Sequence, residues 1–387
     1  MRKIYLDHNA TTPLDPLVLE AMLPYYKDIF GNASSVHEFG RAARKGIDEA
    51  RLKVASLLSA RDVDEIIFIG SGTESDNFAI KGAADALKAK GNHIITSSIE
   101  HPAVLNTCKF LEKNGYDVTY LPVDKFGIVD TEELKKAITD KTILISIMYA
   151  NNEVGTIEPI EEIARIAKVK GVLFHTDAVQ AVGKVSLDVS KLGVDMVSLS
   201  AHKLYGPKGA AALYVRKGVK LIPILHGGHH EKNRRAGTEN VAGIVGLGKA
   251  AELAAKNMKE ETARIKTLRD RLEKGILENI KYTYLNGHPE NRLCTTANIS
   301  FEFLEGESII LNLDMESIGV STGSACTSGS LEPSHVLRAM GIDPVRTQGS
   351  IRFSLGKGNT AEDIDYVIKV LPPIIEKLRK MSPLYKE

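Results

Sequence analysis

At 387 residues the chain is long enough for about two domains, taking roughly 100–200 residues for each. Its 43% hydrophobic and 26% charged residues exclude a disordered polymer, and 50 Lys+Arg against 49 Asp+Glu leave no general electrostatic pull toward nucleic acid or an anionic membrane. Three cysteines, at 108, 294 and 326, contain no CxxC pair, which excludes a disulfide framework and a Cys-rich zinc site.

The N-terminus, MRKIYLDHNATTP, has no signal-peptide h-region, and no apolar run approaches the roughly 18 residues of a membrane helix. A soluble, cytoplasmic protein is expected. From about Asp64 to Val215, short apolar runs alternate with helical segments. The runs are EIIFIG (65–70), HIITS (93–97), VTYLPV (118–123), TILISIM (142–148), VLFHT (172–176), DMVSLS (195–200) and AALYV (211–215). They are β-branched with little polar alternation, as in strands buried on both faces. Segments 75–91 and 161–171 carry apolar residues at helical spacing and end in glycine, which predicts helices with glycine C-caps. Repeated units of this kind imply an α/β fold with a mostly parallel sheet.

Beyond Gly248 the pattern changes. Ile265, Leu268, Leu272 and Ile276 mark one face of a long amphipathic helix. TTANISFEF (295–303), the small-residue stretch GVSTGSACTSGS (319–330), SIRFSL (350–355) and a closing helix from about Ala361 follow. These predict a second, smaller α+β domain.

Polar residues cluster where the predicted strands end, and in open α/β sheets ligands bind there. Gly70-Ser71-Gly72-Thr73 fits either a phosphate-holding helix N-terminus or a plain capped turn. Lys203 fits either a Schiff-base lysine with a depressed pKa or a solvated surface group. Asp177 fits either a partner for a protonated pyridine nitrogen or a helix cap. Phosphate anchor, Schiff-base lysine and pyridinium partner together are the set that pyridoxal phosphate requires.

With these motifs in place the chain resembles the NifS/IscS-type cysteine desulfurases, fold-type I pyridoxal-phosphate enzymes of the class V aminotransferase family. The likeness runs through YLDHNATTP (5–13), GNASSVHEFGR (31–41), SGTESDN (71–77), EHPAV (100–104) and NNEVGTIEPI (151–160). It continues through HTDAVQAVGK (175–184), SLSAHKLYGPKG (198–209), RRAGTEN (234–240), STGSACTSGSLEPSHVLRAMG (321–341) and SIRFSLG (350–356). The resemblance implies a large cofactor-binding domain over 16–255 and a small domain from 1–15 and 256–387. Lys203 would hold pyridoxal phosphate covalently, Asp177 would pair with its ring nitrogen, and His101 would stack on the ring as a candidate acid/base. Gln180 and Asn152 would sit near its phenolic oxygen. Gly72, Thr73, Ser200 and His202 would hold the phosphate, with Thr238 reaching in from the second subunit of a homodimer. Arg352, with Asn152 nearby, would bind the substrate carboxylate.

Cys326 takes the place of the nucleophile, which would remove sulfur from L-cysteine, leave L-alanine and carry a persulfide to an acceptor. That acceptor would be an IscU-type scaffold for iron–sulfur assembly, or a path to thiolated tRNA or cofactors. Cys326 is also a candidate ligand to a [2Fe-2S] cluster shared with such a scaffold. The alternatives are a selenocysteine lyase or another fold-type I enzyme with no use for this thiol, and a non-catalytic docking scaffold. Cys108, at helical spacing with Val104 and Leu111, reads as a buried helix face, and Cys294 receives no role. His229-His230-Glu231 reads as a polar loop rather than a metal site. There GGHHEKN departs from the family's expected GGGQE, and Cys294 interrupts an expected Leu-Pro-Asn stretch.

Overall fold

Four- and five-residue runs of Ile, Val and Leu cannot cover themselves, so they pair laterally and take helices on both faces. The computed structural model, which describes residues 3–323 and 333–385, shows this arrangement. The strands in chain order begin with the short β1 (Ile4–Tyr5), followed by β2 (Ile66–Ile69), β3 (His93–Ser97), β4 (Asp117–Leu121) and β5 (Thr142–Ser146). Next come β6 (Leu173–Asp177), β7 (Met196–Ser200) and β8 (Ala211–Val215). Strands β2 to β8 form one seven-stranded sheet in the order β2-β8-β7-β6-β5-β3-β4. All its pairings are parallel except those of β8, which runs antiparallel to both β2 and β7.

Successive side chains of each strand enter different apolar layers. Ile66, Phe68, Ile95, Ile145, Phe174 and Leu199 pack with Ile47, Val54 and Leu247 on one face. Ile67, Ile69, Ile94, Leu144, Met196 and Leu213 pack with Phe78, Ile80 and Cys108 on the other. The fully buried Cys108 thus belongs to a helix face against the sheet, and burial pushes its thiol up to about 12.

Two helix limits differ from the sequence reading. The first predicted helix runs Gly72–Leu87, because the Ser71 side chain caps it by accepting from Glu74 N. It stops before Gly91, which is no cap. A Cβ there would lie 2.2 Å from the Lys141 carbonyl oxygen, so this glycine permits a close pass of backbone instead. The second ends as expected, with Gly171 left-handed at φ 65° after helix Ile160–Lys170. The long helix spans Val241–Asn279, 39 residues, starting before the point where the apolar pattern changes. Its first turns are glycine-rich because they press on helix Glu38–Leu58; a Cβ on Gly248 would lie 2.6 Å from Ala50 Cα.

The far half of that helix supplies Ile265, Leu268, Leu272 and Ile276 to a separate apolar cluster with Ile299, Phe301, Ile351, Phe353 and Leu371. Here β9 (Thr283–Asn286), β10 (Thr296–Phe301) and β12 (Ser350–Ser354) form an antiparallel sheet in the order β12-β10-β9. The helix Ala361–Met381 packs on the same cluster. β1 pairs in parallel with β11 (Ile318–Gly319), and Ile4 and Leu6 join this cluster. Residues 7–12 then form a strap between the two parts: His8 N donates to Ser354 O at 3.1 Å, and Thr12 N donates to His202 O at 2.9 Å.

Candidate active site

The carboxyl ends of β2, β3, β5, β6 and β7 point to one rim, since β2 and β7 are both antiparallel to β8. At the end of β2, the N-terminus of helix Gly72–Leu87 lies against the ends of β6 and β7. A Cβ on Gly72 would meet Val179 Cγ2 at 3.1 Å and Ser200 Cβ at 3.7 Å. The partial positive charge of a helix N-terminus, the Thr73 hydroxyl on its exposed first turn and the buried Ser200 hydroxyl form a cradle for an anion. His202 stands beside it with Nδ1 3.2 Å from Thr11 Oγ1. Burial and the neighbouring lysines bring its ring down to about 4, so it is neutral near pH 7.

Asp177 closes β6 and is buried. Its Oδ1 accepts from Val179 N at 2.9 Å, while Oδ2 accepts no hydrogen bond from the described residues. Burial raises its carboxyl, and His101 and Lys203 oppose that rise. His101 caps helix Pro102–Glu112, its Nδ1 accepting from Ala103 N at 3.1 Å. That bond leaves the proton of the neutral ring on Nε2. Burial lowers its pKa, with Asp177 pulling the other way.

Lys203 ends the turn Ala201–Lys203 after β7. Its amine donates to the carbonyls of Asn9 and, at 2.7 Å, Ala10. The same Asn9 carbonyl accepts from Gln180 Nε2 at 3.0 Å. The Asn9 side chain donates to Asn152 O at 3.1 Å and Thr296 Oγ1 at 2.9 Å. Asn152 O also accepts from Arg352 Nη1 at 3.0 Å, and Arg352 Nη2 donates to Asp7 Oδ1 at 2.8 Å. Arg352 is buried, and its Nε has no partner among the described residues. His101, Asn152, Asp177, Gln180, Ser200, His202, Lys203 and Arg352 are thus linked through the rim and the strap.

Behind Asp177 lies a buried polar layer. His175 sits between Ser146 Oγ and Ser198 Oγ, 2.9 Å from each, and burial drops its ring to about 3. Glu100 accepts from Ser97 Oγ at 2.6 Å and Met148 N at 2.9 Å. Asp76 and Glu100 are both held well above the usual carboxylate range by burial.

Two predicted residues stand apart. Thr238 is exposed and makes no hydrogen bond with the described residues, although Arg235 of the same segment pairs with Glu74 at 2.9 Å. Cys326 lies outside the described residues, and so does its candidate role as a cluster ligand. The residues flanking that segment converge on the buried Glu153. Ser334 Oγ donates to Glu153 Oε2 at 2.5 Å, and a Cβ on Gly323 would lie 3.0 Å from the same oxygen. Among the described residues no group of three or more His, Cys, Asp or Glu could hold a metal. His229 Nδ1 instead meets Asn233 Oδ1 at 2.6 Å, and Cys294 is half-buried just before β10.

The strap was the part of the site that sequence reasoning did not resolve. YLDHNATTP is conspicuous as a motif, but nothing local announces that the Asn9 carbonyl meets Lys203 or that Asp7 pairs with Arg352. Asp76, Glu100 and His175 likewise carry no signal of their role in the sequence, since a polar residue beside a buried run bears no mark of its depth.

These residues fit pyridoxal phosphate. An anion cradle, a buried carboxylate with an open oxygen, a neutral imidazole and a lysine amine gather at one rim. Such a carboxylate suits a cationic ring nitrogen, and the cradle suits the phosphate.

Residues 4–367 match the family described as Aminotransferase class-V. The chain is 57% identical over 386 residues to "Cysteine desulfurase IscS" of Dictyoglomus turgidum, covering 100% of this chain and 98% of that one. It is 57% identical over 383 residues to "Cysteine desulfurase IscS" of Methanosarcina thermophila, with 99% and 94% covered. Of solved structures, a "NIFS-LIKE PROTEIN" superposes with a TM-score of 0.92 at 41% identity, covering 97% of this chain and 100% of that chain. A NifS-like protein from Rickettsia africae gives 0.87 at 34% identity, with 97% and 100% covered. With the rim geometry and full-length likeness in agreement, the chain belongs to the NifS/IscS-type cysteine desulfurases of the class V aminotransferase family, enzymes dependent on pyridoxal phosphate.

Proposed function

We propose that the chain takes sulfur from L-cysteine, releases L-alanine, and carries the sulfur as a persulfide on Cys326 to an acceptor. The observation that carries this reading is the convergence of Lys203, Asp177 and His101 beside the helix N-terminus at Gly72, in a chain so like the named desulfurases over its whole length.

Pyridoxal phosphate supplies an electrophilic carbon for the substrate amine and a ring that takes up the electron pair freed at Cα. Gly72, Thr73, Ser200 and His202 hold its phosphate, and Asp177 keeps its ring nitrogen protonated. Lys203 moves the Cα proton, its amine standing in the rim within electrostatic reach of His101 and Asp177. Arg352 takes the substrate carboxylate, with Asp7 and Asn152 fixing the guanidinium. The Cys326 thiolate attacks the substrate sulfur, and the C–S electron pair stays with the carbon skeleton. That skeleton gains a proton and leaves as alanine, while Cys326 becomes S–SH.

A homodimer in which Thr238 completes the partner's phosphate site accounts for that residue's exposure. An IscU-type scaffold is the proposed acceptor, with iron–sulfur assembly the use of the sulfur and the cytoplasm the place. No helix among the described residues is long and apolar enough to cross a membrane.

The test is alanine released from L-cysteine under reductant, for wild type and Cys326→Ala in parallel. Alanine from wild type only supports the reading. Equal alanine from both overturns the role of Cys326 and favours a lyase without a thiol nucleophile.

A further inference from the structure

The geometry points to Lys184 as a positioning residue that fixes which end of the Gln180 carboxamide faces the site lysine. The inference rests on Lys203 being the lysine that bears the cofactor.

After β6 the backbone coils tightly. Ala181 N and Val182 N both donate to Ala178 O at 2.9 Å, and Lys184 N donates to Ala181 O at 2.9 Å. This brings the side chains of Gln180 and Lys184, four residues apart, to one side. Lys184 Nζ donates to Gln180 Oε1 at 3.1 Å. The amine is the donor in this contact, so it selects the carboxamide oxygen and turns the nitrogen away. That nitrogen donates to Asn9 O at 3.0 Å, the carbonyl that also receives the Lys203 amine. A flipped amide would set N–H against ammonium at one end and oxygen against carbonyl at the other, making both contacts repulsive. Lys184 therefore dictates that Gln180 presents a donor toward the Asn9 carbonyl shared with Lys203, and because Gln180 is buried a flip would leave both contacts unsatisfied.

The second contribution is the field. Burial disfavours the Lys184 charge most, and Lys203 and Arg352 add repulsion. The Lys184 charge in turn lowers the pKa of His8 and His202. Two carboxylates, Asp15 and Glu261, line the same cavity with Tyr205, but Asp15 is bound to Lys357. No carboxylate pairs with Lys184 among the described residues, and burial brings its amine down to about 7. Below that pH the protonated Lys184 amine lowers the proton affinity of Lys203 and of any imine nitrogen built on it. A donor from Gln180 toward the cofactor's phenolic oxygen acts in the same direction, because it stabilises the phenolate without help from a protonated nitrogen.

The experiment uses holoenzyme and follows the pH-dependent absorbance of the covalent lysine–cofactor linkage, with borohydride reduction and peptide mapping to locate it. Lys184→Met is expected to move the absorbance midpoint upward by about one pH unit, a tenfold tightening of proton binding. Lys184→Arg, which keeps charge and donors, should restore most of it. In a Gln180→Ala background, Lys184→Met should shift the midpoint by clearly less, because part of the effect passes through the amide. A midpoint unmoved in Lys184→Met, with only thermal stability lowered, overturns the inference and leaves a packing role. An equal shift with and without Gln180 overturns the amide-orienting part. An adduct mapped to a lysine other than Lys203 in wild type overturns the underlying reading instead, and the peptide map separates that failure from the others.

Discussion

Asp7 Oδ1 accepts from Arg352 Nη2 at 2.8 Å, so the guanidinium assigned to the substrate carboxylate is already oriented by an anion from the opposite end of the chain. The second amino group is fixed by Asn152 O, and Nε stays without a partner among the described residues. A lysine could satisfy one of these contacts but not the fork. Arg352→Lys is therefore expected to raise KM for L-cysteine roughly 10–100-fold, the loss of about 1.4–3 kcal/mol from a charge-assisted hydrogen bond. A KM within twofold of wild type, from steady-state alanine formation, would remove Arg352 from substrate binding.

Lys203 is half-buried, held by two strap carbonyls and next in the field to Asp177 and His101. Lys203→Ala should abolish the borohydride-reducible adduct while the cradle at Gly72 still admits the cofactor non-covalently. Mass mapping of reduced peptides checks this, and an adduct surviving on another lysine would refute the placement.

Arg51 and Glu231 form a two-pronged pair at 2.8 and 2.6 Å, with side chains only 11% and 2% exposed. Glu231 also accepts from Phe68 N at 3.0 Å, and it begins three consecutive left-handed residues. The pair fastens the 227–240 loop to β2 and helix Glu38–Leu58. Arg51→Met leaves the buried carboxylate uncompensated and should destabilise the fold by about 3–5 kcal/mol. Thermal unfolding measures it, and a loss under about 1 kcal/mol would show that the loop is held by other contacts.

Glu158 retains its proton to about 8 because burial disfavours the anion, against an ordinary value of 4.5. Between those pH values the folded chain binds more protons than the unfolded chain. Its contribution to stability is therefore full below 4.5 and lost as pH rises through 8. Glu158→Gln cannot ionise. The difference in Tm between variant and wild type should shift in the variant's favour by roughly a few degrees from about pH 5 to about pH 8.5. A constant difference would refute the raised pKa. His175, depressed to about 3, has the opposite slope, since its unfolded imidazole takes up a proton first as pH falls.

The seven strands of the large sheet were legible because each run is apolar, short and bounded, and the carboxyl ends of β2, β3, β5, β6 and β7 share one rim because every strand but β8 runs the same way. Lys203, Asp177 and His101 could be named from motif context. Asn9 could not, because its part in the site is played by a backbone carbonyl, which every residue type possesses. The start of the long helix was also hidden: its first turns follow glycine-mediated contact with Ala50 rather than an apolar stripe. The ion pair of Asp7 with Arg352 spans 345 positions, and no local pattern encodes a contact at that separation.

The strap has a consequence for biosynthesis. Residues 4–12 leave the ribosome well before the strands that anchor them, since Ile4 pairs with Ile318 and Asn9 N donates to Ser354 Oγ. At about 5–20 residues per second, the chain that anchors them arrives roughly 20–70 seconds later. Until then the carbonyls that receive the Lys203 amine have no fixed position, even if β2 to β8 have already paired. A nascent chain can therefore assemble its large sheet first, but it completes the lysine's surroundings only once residues 318–354 have been made and folded.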